Sequence, residues 1–118
     1  MPSQIVRFTV SLTIAEGKLD EFEQIAKAML TASKNEQGTL GYDWCLAADR
    51  RTCRLLETYK DATAVLAHLT GHVVRDYGSK LMGLSSLGSF EVYGNPGPQA
   101  SAILAGFGAV IFPHWHVF

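Results

Sequence analysis

The apolar residues of this chain change period several times, and the order of those changes is its tightest constraint on fold. Phe8, Val10, Leu12 and Ile14 alternate with Arg7, Thr9, Ser11 and Thr13, the two-residue period of a half-buried strand. After a Glu16-Gly17 turn, Leu19, Phe22, Ala26, Met29 and Leu30 share one helical face, with Asp20, Glu21, Glu23, Gln24 and Lys27 largely outside it. Acidic residues in its first turn suit a helix N-terminus, and Asn35 with Gly38 supplies stop chemistry. Gly41 to Leu46 and Thr52 to Tyr59 read as strands joined by the polar Ala48-Asp49-Arg50-Arg51, a hairpin. Asp61 is placed to cap a helix over Ala62, Val65, Leu66 and Leu69. Thr70-Gly71 breaks or kinks that helix, and the pattern resumes from Val73 to Met82. Gly83 to Gly88 reads as a loop and Ser89 to Tyr93 as a fourth strand, ended by Gly94-Asn95-Pro96-Gly97-Pro98.

The order β-α-β-β-α-β defines an α+β, ferredoxin-like split βαβ domain, expected over residues 1–98. Its four-stranded antiparallel sheet carries both helices on one face. Apolar residues on both sides of the third strand call for a second sheet on the other face, most simply from a second copy of the chain. Residues 99–118 are expected as a helix over Gln99 to Phe107 and a hydrophobic tail, packed on its own domain or on the partner subunit.

A net charge of −1 and no basic block argue against an electrostatic nucleic-acid partner. The run from Ala102 to Pro113 is too short to span a bilayer and holds two glycines, so no membrane partner is expected. Met1-Pro2-Ser3-Gln4 lacks the basic and apolar regions of a secretory leader, which makes the cytoplasm the expected location. Cys45 and Cys53 flank the hairpin; two buried thiols are favoured over a cross-strand disulfide or redox pair, and no zinc spacing occurs.

Glu57 stands inside an apolar strand, where a carboxylate must be paired or used. His68 follows on the next helix. As a pair they can act as a base and its orienter, or as a purely structural link from strand to helix. His68 and His72 have i, i+4 spacing, but HLTGH lacks the glutamate of HExxH and Gly71 interrupts the helix, so no metal is expected there. His114 and His116 point to opposite sides of an extended tail and suit aromatic packing. Tyr42, Trp44 and Tyr59 are candidates for the wall of an aromatic-ligand pocket, or for core. Arg54 is placed to face the space between two sheets, as an anion contact or a dimer salt bridge, and His72 is a further candidate contact.

These residues resemble the antibiotic biosynthesis monooxygenase domain family of the dimeric α/β-barrel superfamily. The resemblance runs from about residue 4 to 96 in order and length. It is carried by Gly17-Lys18-Leu19-Asp20-Glu21-Phe22, Gly41-Tyr42, Leu55-Leu56-Glu57-Thr58-Tyr59-Lys60-Asp61, Ala67-His68 with His72, and Phe90-Glu91-Val92-Tyr93-Gly94-Asn95-Pro96. It implies a homodimeric barrel with a pocket between each sheet and its helices. It further implies oxygenation of a phenolic, quinol-type or polyketide-like aromatic molecule with O₂ and no cofactor. Non-oxidative cyclases and isomerases, haem-degrading enzymes and proteins without known turnover share the fold. Asn35 at a helix end and Trp44 on a strand do not reproduce the Asn and Trp pair near the pocket of quinone-forming relatives. On this reading His68 transfers the proton, Glu57 orients it, and Tyr42, Trp44, Tyr59, Arg54 and His72 contact substrate.

Overall fold

A computed structural model describes residues 3–118; Met1-Pro2, part of the N-terminal segment read above against a secretory leader, lies outside the described residues. The elements in chain order are β1 (Val6–Ile14), α1 (Leu19–Ser33), β2 (Thr39–Leu46), β3 (Thr52–Tyr59), α2 (Ala62–Thr70), α3 (His72–Gly83), β4 (Ser85–Tyr93), α4 (Gly97–Gly106) and β5 (Val110–Phe112). They form one mixed sheet in the order β2-β3-β1-β4-β5. The first four strands pair antiparallel in the ferredoxin-like order, and β5 joins β4 in parallel.

The alternation of β1 sorts the two faces as expected. Val6, Phe8, Val10, Leu12 and Ile14 are all buried towards the helices. Register then assigns the neighbours: Phe8 lies opposite Glu57 and Val92, and Val10 opposite Leu55 and Phe90. Tyr42 of β2 lies opposite Glu57 as well. The inner face is therefore apolar except around Glu57. Helix α1 closes on it with Phe22, Ala26, Met29 and Ser33, spaced to share one face.

Local chemistry fixes the joints. In the β2–β3 hairpin the Asp49 carboxylate accepts hydrogen bonds from the backbone N–H of Arg51 and Thr52 and from the Thr52 hydroxyl, at 2.9, 2.8 and 2.6 Å. The Thr52 bonds and that of Arg51 hold the Asp49 carboxyl down at about 2. Asp61 caps α2 by accepting from Ala64 N–H at 2.9 Å. Gly71 is extended, with φ −83° and ψ 178°, and separates α2 from α3. A β-carbon there would stand 2.7 Å from the Ala67 carbonyl oxygen.

Three sequence expectations change. The sheet has five strands instead of four, because the apolar tail after Gly108 supplies β5. With α4 as its crossover it makes a βαβ unit, burying Ala100 and Leu104 and stacking Phe112 on Tyr93 at 5.4 Å. Strand β4 begins at Ser85, so Gly83 to Gly88 is not a loop. A bulge between Leu87 and Phe90 takes up its turn-like residues. That extra residue points both Leu87 and Phe90 inward, where strict alternation would separate them. Finally, Cys45 is exposed and Cys53 buried, and both are free. Cys45 pairs with Arg54 on the outer face while Cys53 lies opposite inward-facing Leu12, which excludes a disulfide between them.

Candidate active site

The inner sheet face and the helices do not close completely. Between them lies a cavity of about 450 Å³, walled by β1, β3 and β4 on one side and by α3 on the other. Phe8, Val10, Leu55, Leu87 and Phe90 supply the sheet side; Val74, Gly78, Leu81 and Met82 supply the α3 side. The carboxyl and imidazole on its wall, Glu57 and His68, lie together at one end. A site of this kind is apolar with a few convergent polar groups, the usual build of a small-molecule pocket.

His68 sits in the last turn of α2 and is 3% exposed. Its Nδ1 lies 2.8 Å from Glu36 Oε1. A carboxylate only accepts, so Nδ1 carries the proton and donates it to Glu36. Nε2 faces the other way, 3.6 Å from Glu57 Oε1, beyond hydrogen-bond length. Among the described residues Nε2 makes no hydrogen bond, and it is the ring nitrogen free to work on a ligand. The rings of Tyr42 and Tyr59 flank the imidazole, each with a centroid 5.3 Å away.

Glu57 is 5% exposed. The Tyr59 hydroxyl donates to its Oε1. Burial pushes the Glu57 carboxyl above the ordinary carboxylate range; His68 and the Tyr59 bond oppose that shift, and Glu36 adds to it. Burial, then the Glu57 charge, raises both the Tyr42 and Tyr59 phenols, which therefore stay protonated at neutral pH. Glu36, His68, Glu57 and Tyr59 form a line, carboxylate to imidazole to carboxylate to phenol.

Glu36 is the residue that sequence reasoning missed. It lies between α1 and β2, in a polar stretch that resembles any solvated turn. Its Oε1 also accepts from the Thr39 hydroxyl at 2.8 Å, and its side chain is 16% exposed. Gly38 sets its position. A β-carbon on Gly38 would stand 2.4 Å from Ala64 Cβ, so only glycine lets this turn lie against α2. Gly38 had signalled a helix stop; its close approach to α2 is the further meaning.

The other candidate residues separate. Tyr42 reaches the cavity wall; Tyr59 stands behind Glu57, buried, as its hydrogen-bond donor. Trp44 is on the inner face but packs edge-on against Phe22 of α1, beside a different and smaller recess. Arg54 alternates with Glu57's row and lies on the outer sheet face, where its Nη1 donates to the Cys53 carbonyl. His72 is exposed at the start of α3, past the Gly71 break and away from the cavity wall. The i, i+4 histidines therefore do not converge. Among the described residues no group of three or more His, Cys, Asp or Glu side chains is disposed to hold a metal ion. Glu36, His68 and Glu57 stand in series instead of around a common point. No helix of the described residues is long and apolar enough to cross a membrane.

The chain belongs to the antibiotic biosynthesis monooxygenase family, whose profile matches residues 5–78. No curated protein sequence matches it significantly. Its fold is that of MupZ from Pseudomonas fluorescens, at 21% identity and a TM-score of 0.83, over 98% of this chain and 94% of MupZ. SnoaB from Streptomyces nogalater, a cofactor-independent oxygenase, superposes in a variant form with a TM-score of 0.70 at 15% identity, over 81% of this chain and 97% of SnoaB. Rv0793 from Mycobacterium tuberculosis gives 0.68 at 20% identity, over 75% and 91%.

Proposed function

We propose that the chain is a cofactor-independent monooxygenase acting on a phenolic, quinol-type or polyketide-like aromatic molecule. The observation that carries this reading is His68 on the wall of an apolar cavity, its Nε2 without a hydrogen bond among the described residues while Glu36 fixes its other nitrogen. Family membership and the likeness to SnoaB support it.

In this mechanism the hydroxyl of a phenol lies at the His68–Glu57 end. Nε2 takes its proton as general base, and Glu36 and Glu57 stabilise the imidazolium that forms. The resulting phenolate is electron-rich and passes one electron to O₂. Recombination of the two radicals forms a carbon–oxygen bond, giving a peroxide anion. Breaking its O–O bond, with loss of the C–H proton and return of the proton from His68, releases water. One oxygen atom stays as the new quinone carbonyl and the other leaves in water, so phenol plus O₂ gives quinone plus water. The apolar wall keeps bulk water from the anion.

Dissolved-oxygen uptake with 1-naphthol and with anthrone tests this reading. Expected is uptake of one O₂ per quinone formed, lowered at least about a hundredfold in His68→Ala. Proton exchange or cyclisation of the bound molecule without oxygen uptake assigns a non-oxidative role to the same base. Binding without any turnover makes the cavity a carrier site.

We also propose a homodimer joined through the outer sheet face. Leu56 of β3 is 42% exposed there, and beyond the polar outer row of β1 the same face carries Tyr93 of β4 and the exposed Val110 and Phe112 of β5. Sedimentation of the native chain as a dimer and of Leu56→Lys as a monomer is the expected result. A native monomer removes the proposal.

A further inference from the structure

Phe107 stands outside the family match yet lines the cavity. It follows α4, and it is the cavity-wall residue contributed from beyond β4. Its ring stacks on Phe90 of β4, with centroids 6.0 Å apart and planes at 28°. It is 40% exposed, as Met82 on α3 is 38% exposed, so these two apolar side chains form the rim where the cavity meets solvent. The backbone on either side is held: Leu104 is fully buried, Ala109 N–H donates to the Leu104 carbonyl, and β5 pairs with β4. Phe107 is thus an anchored wall and not a loose tail.

Sheet geometry gives the distance from this wall to the acid–base end. Glu57 and Phe90 are two strands apart, through β1, and one inward-facing row apart along the strands. Strand spacing and rise make that roughly 10 Å across and 7 Å along, a diagonal of about 12 Å. Along this diagonal the sheet side is Phe8, Val10 and Leu55, with no polar group to bond a second substituent.

We propose that Phe107 is a specificity-determining residue that sets the length of ligand the cavity accepts. The proposal rests on the reading that an acidic hydroxyl is held at Glu57 and His68. The ligand then extends as an apolar body across β1 and ends against the Phe90–Phe107 pair. A ligand shorter than the diagonal leaves the far end unfilled. One longer than it must displace Phe107 or project past the rim.

The test uses the full chain and a series of 4-alkylphenols from ethyl to decyl, with binding measured by equilibrium dialysis. Each buried methylene is expected to tighten binding about fourfold until the chain meets Phe107, at about five carbons, after which affinity levels off. Phe107→Ala is expected to move this break to longer chains while leaving 4-ethylphenol affinity within about twofold. Phe107→Leu, which keeps the apolar bulk, is expected to return the break to within about one carbon of the native position. A break at the same length in Phe107→Ala, no break in the native protein, or a parallel loss for every chain length overturns the proposal. Oxygen uptake separates this result from the fate of the oxygenase reading. A break that moves while uptake is absent keeps Phe107's role and removes the oxygenase. Uptake with an unmoved break does the reverse.

Discussion

The same pair of residues occurs on both faces of the sheet, and the two copies behave differently. Inside, Tyr59 donates to Glu57 two residues before it on β3. Outside, Tyr93 donates to Glu91 two residues before it on β4, at 2.9 Å. The local geometry is alike because residues i and i+2 share a strand face. What differs is the surroundings. Glu57 is buried against an imidazole that is itself held by Glu36, and its carboxyl is pushed up chiefly by burial. Tyr93 is raised first by its bond to Glu91 and only then by burial. Thr9 adds a long 3.5 Å contact to Glu91, and no histidine is present in that group. A glutamate–tyrosine pair becomes a candidate acid–base device only where water is excluded and an imidazole stands beside it.

Removing the imidazole breaks the contrast most sharply. His68→Ala is expected to lower oxygen uptake by at least about a hundredfold, the usual share of a positioned base. Unchanged uptake in a folded variant takes the proton transfer away from His68. Gly38→Ala attacks the same contact without touching either group. Its new β-carbon meets Ala64 Cβ at 2.4 Å, so the turn must move off α2 and carry Glu36 away from His68. A stability loss of about 1–3 kcal/mol in urea unfolding is expected, together with reduced turnover. Native stability would mean that the turn relaxes elsewhere and that Gly38 does not set the contact.

How much of this was legible in the sequence follows from which forces are local. The periods of β1 and α1, the Asp61 cap and the Gly71 break are each decided within a few residues, and each was read correctly. The bulge in β4 hid that strand's start, because Ser85, Ser86 and Gly88 are turn formers held in a strand by pairing with β1. Strand β5 is three residues long and exists through its parallel partner. In the site, Glu57 and His68 were readable as a buried carboxylate and a nearby imidazole. Glu36 was not, since only the fold carries that turn to α2. Trp44, Arg54 and His72 have suitable chemistry, but strand parity sends Arg54 outward, α1 occupies Trp44, and the helix break turns His72 to solvent.

The buried copy also has a pH signature that the exposed one lacks. A carboxyl whose value is raised by folding binds its proton more tightly in the native chain than in the unfolded one. The stability it allows is complete below the unfolded carboxylate value and declines as pH rises through the native value. Glu57→Gln removes this slope while keeping an oxygen to accept from Tyr59. Between about pH 4 and 8 the variant should gain stability relative to the native protein as pH rises. Urea midpoints across that range give the comparison. A difference that stays flat with pH means that the ion pair with His68 fully offsets the burial of Glu57.

The smallest expected effect belongs to the outer pair. Glu91→Gln leaves an amide oxygen for Tyr93 and Thr9 and removes a charge from a partly exposed strand face. The stability change is expected within about 0.5 kcal/mol, because exposed polar pairs exchange readily with water. Oxygen uptake should stay within about twofold, since a residue outside the proton line has no transition-state contact to lose. A large loss of uptake in Glu91→Gln would reverse the ranking of the two faces. It would move chemistry to the outer face, where a second subunit's sheet would have to complete a site between them. A loss that depends on protein concentration would instead mark Glu91 as part of the dimer contact, with the inner pair still holding the chemistry.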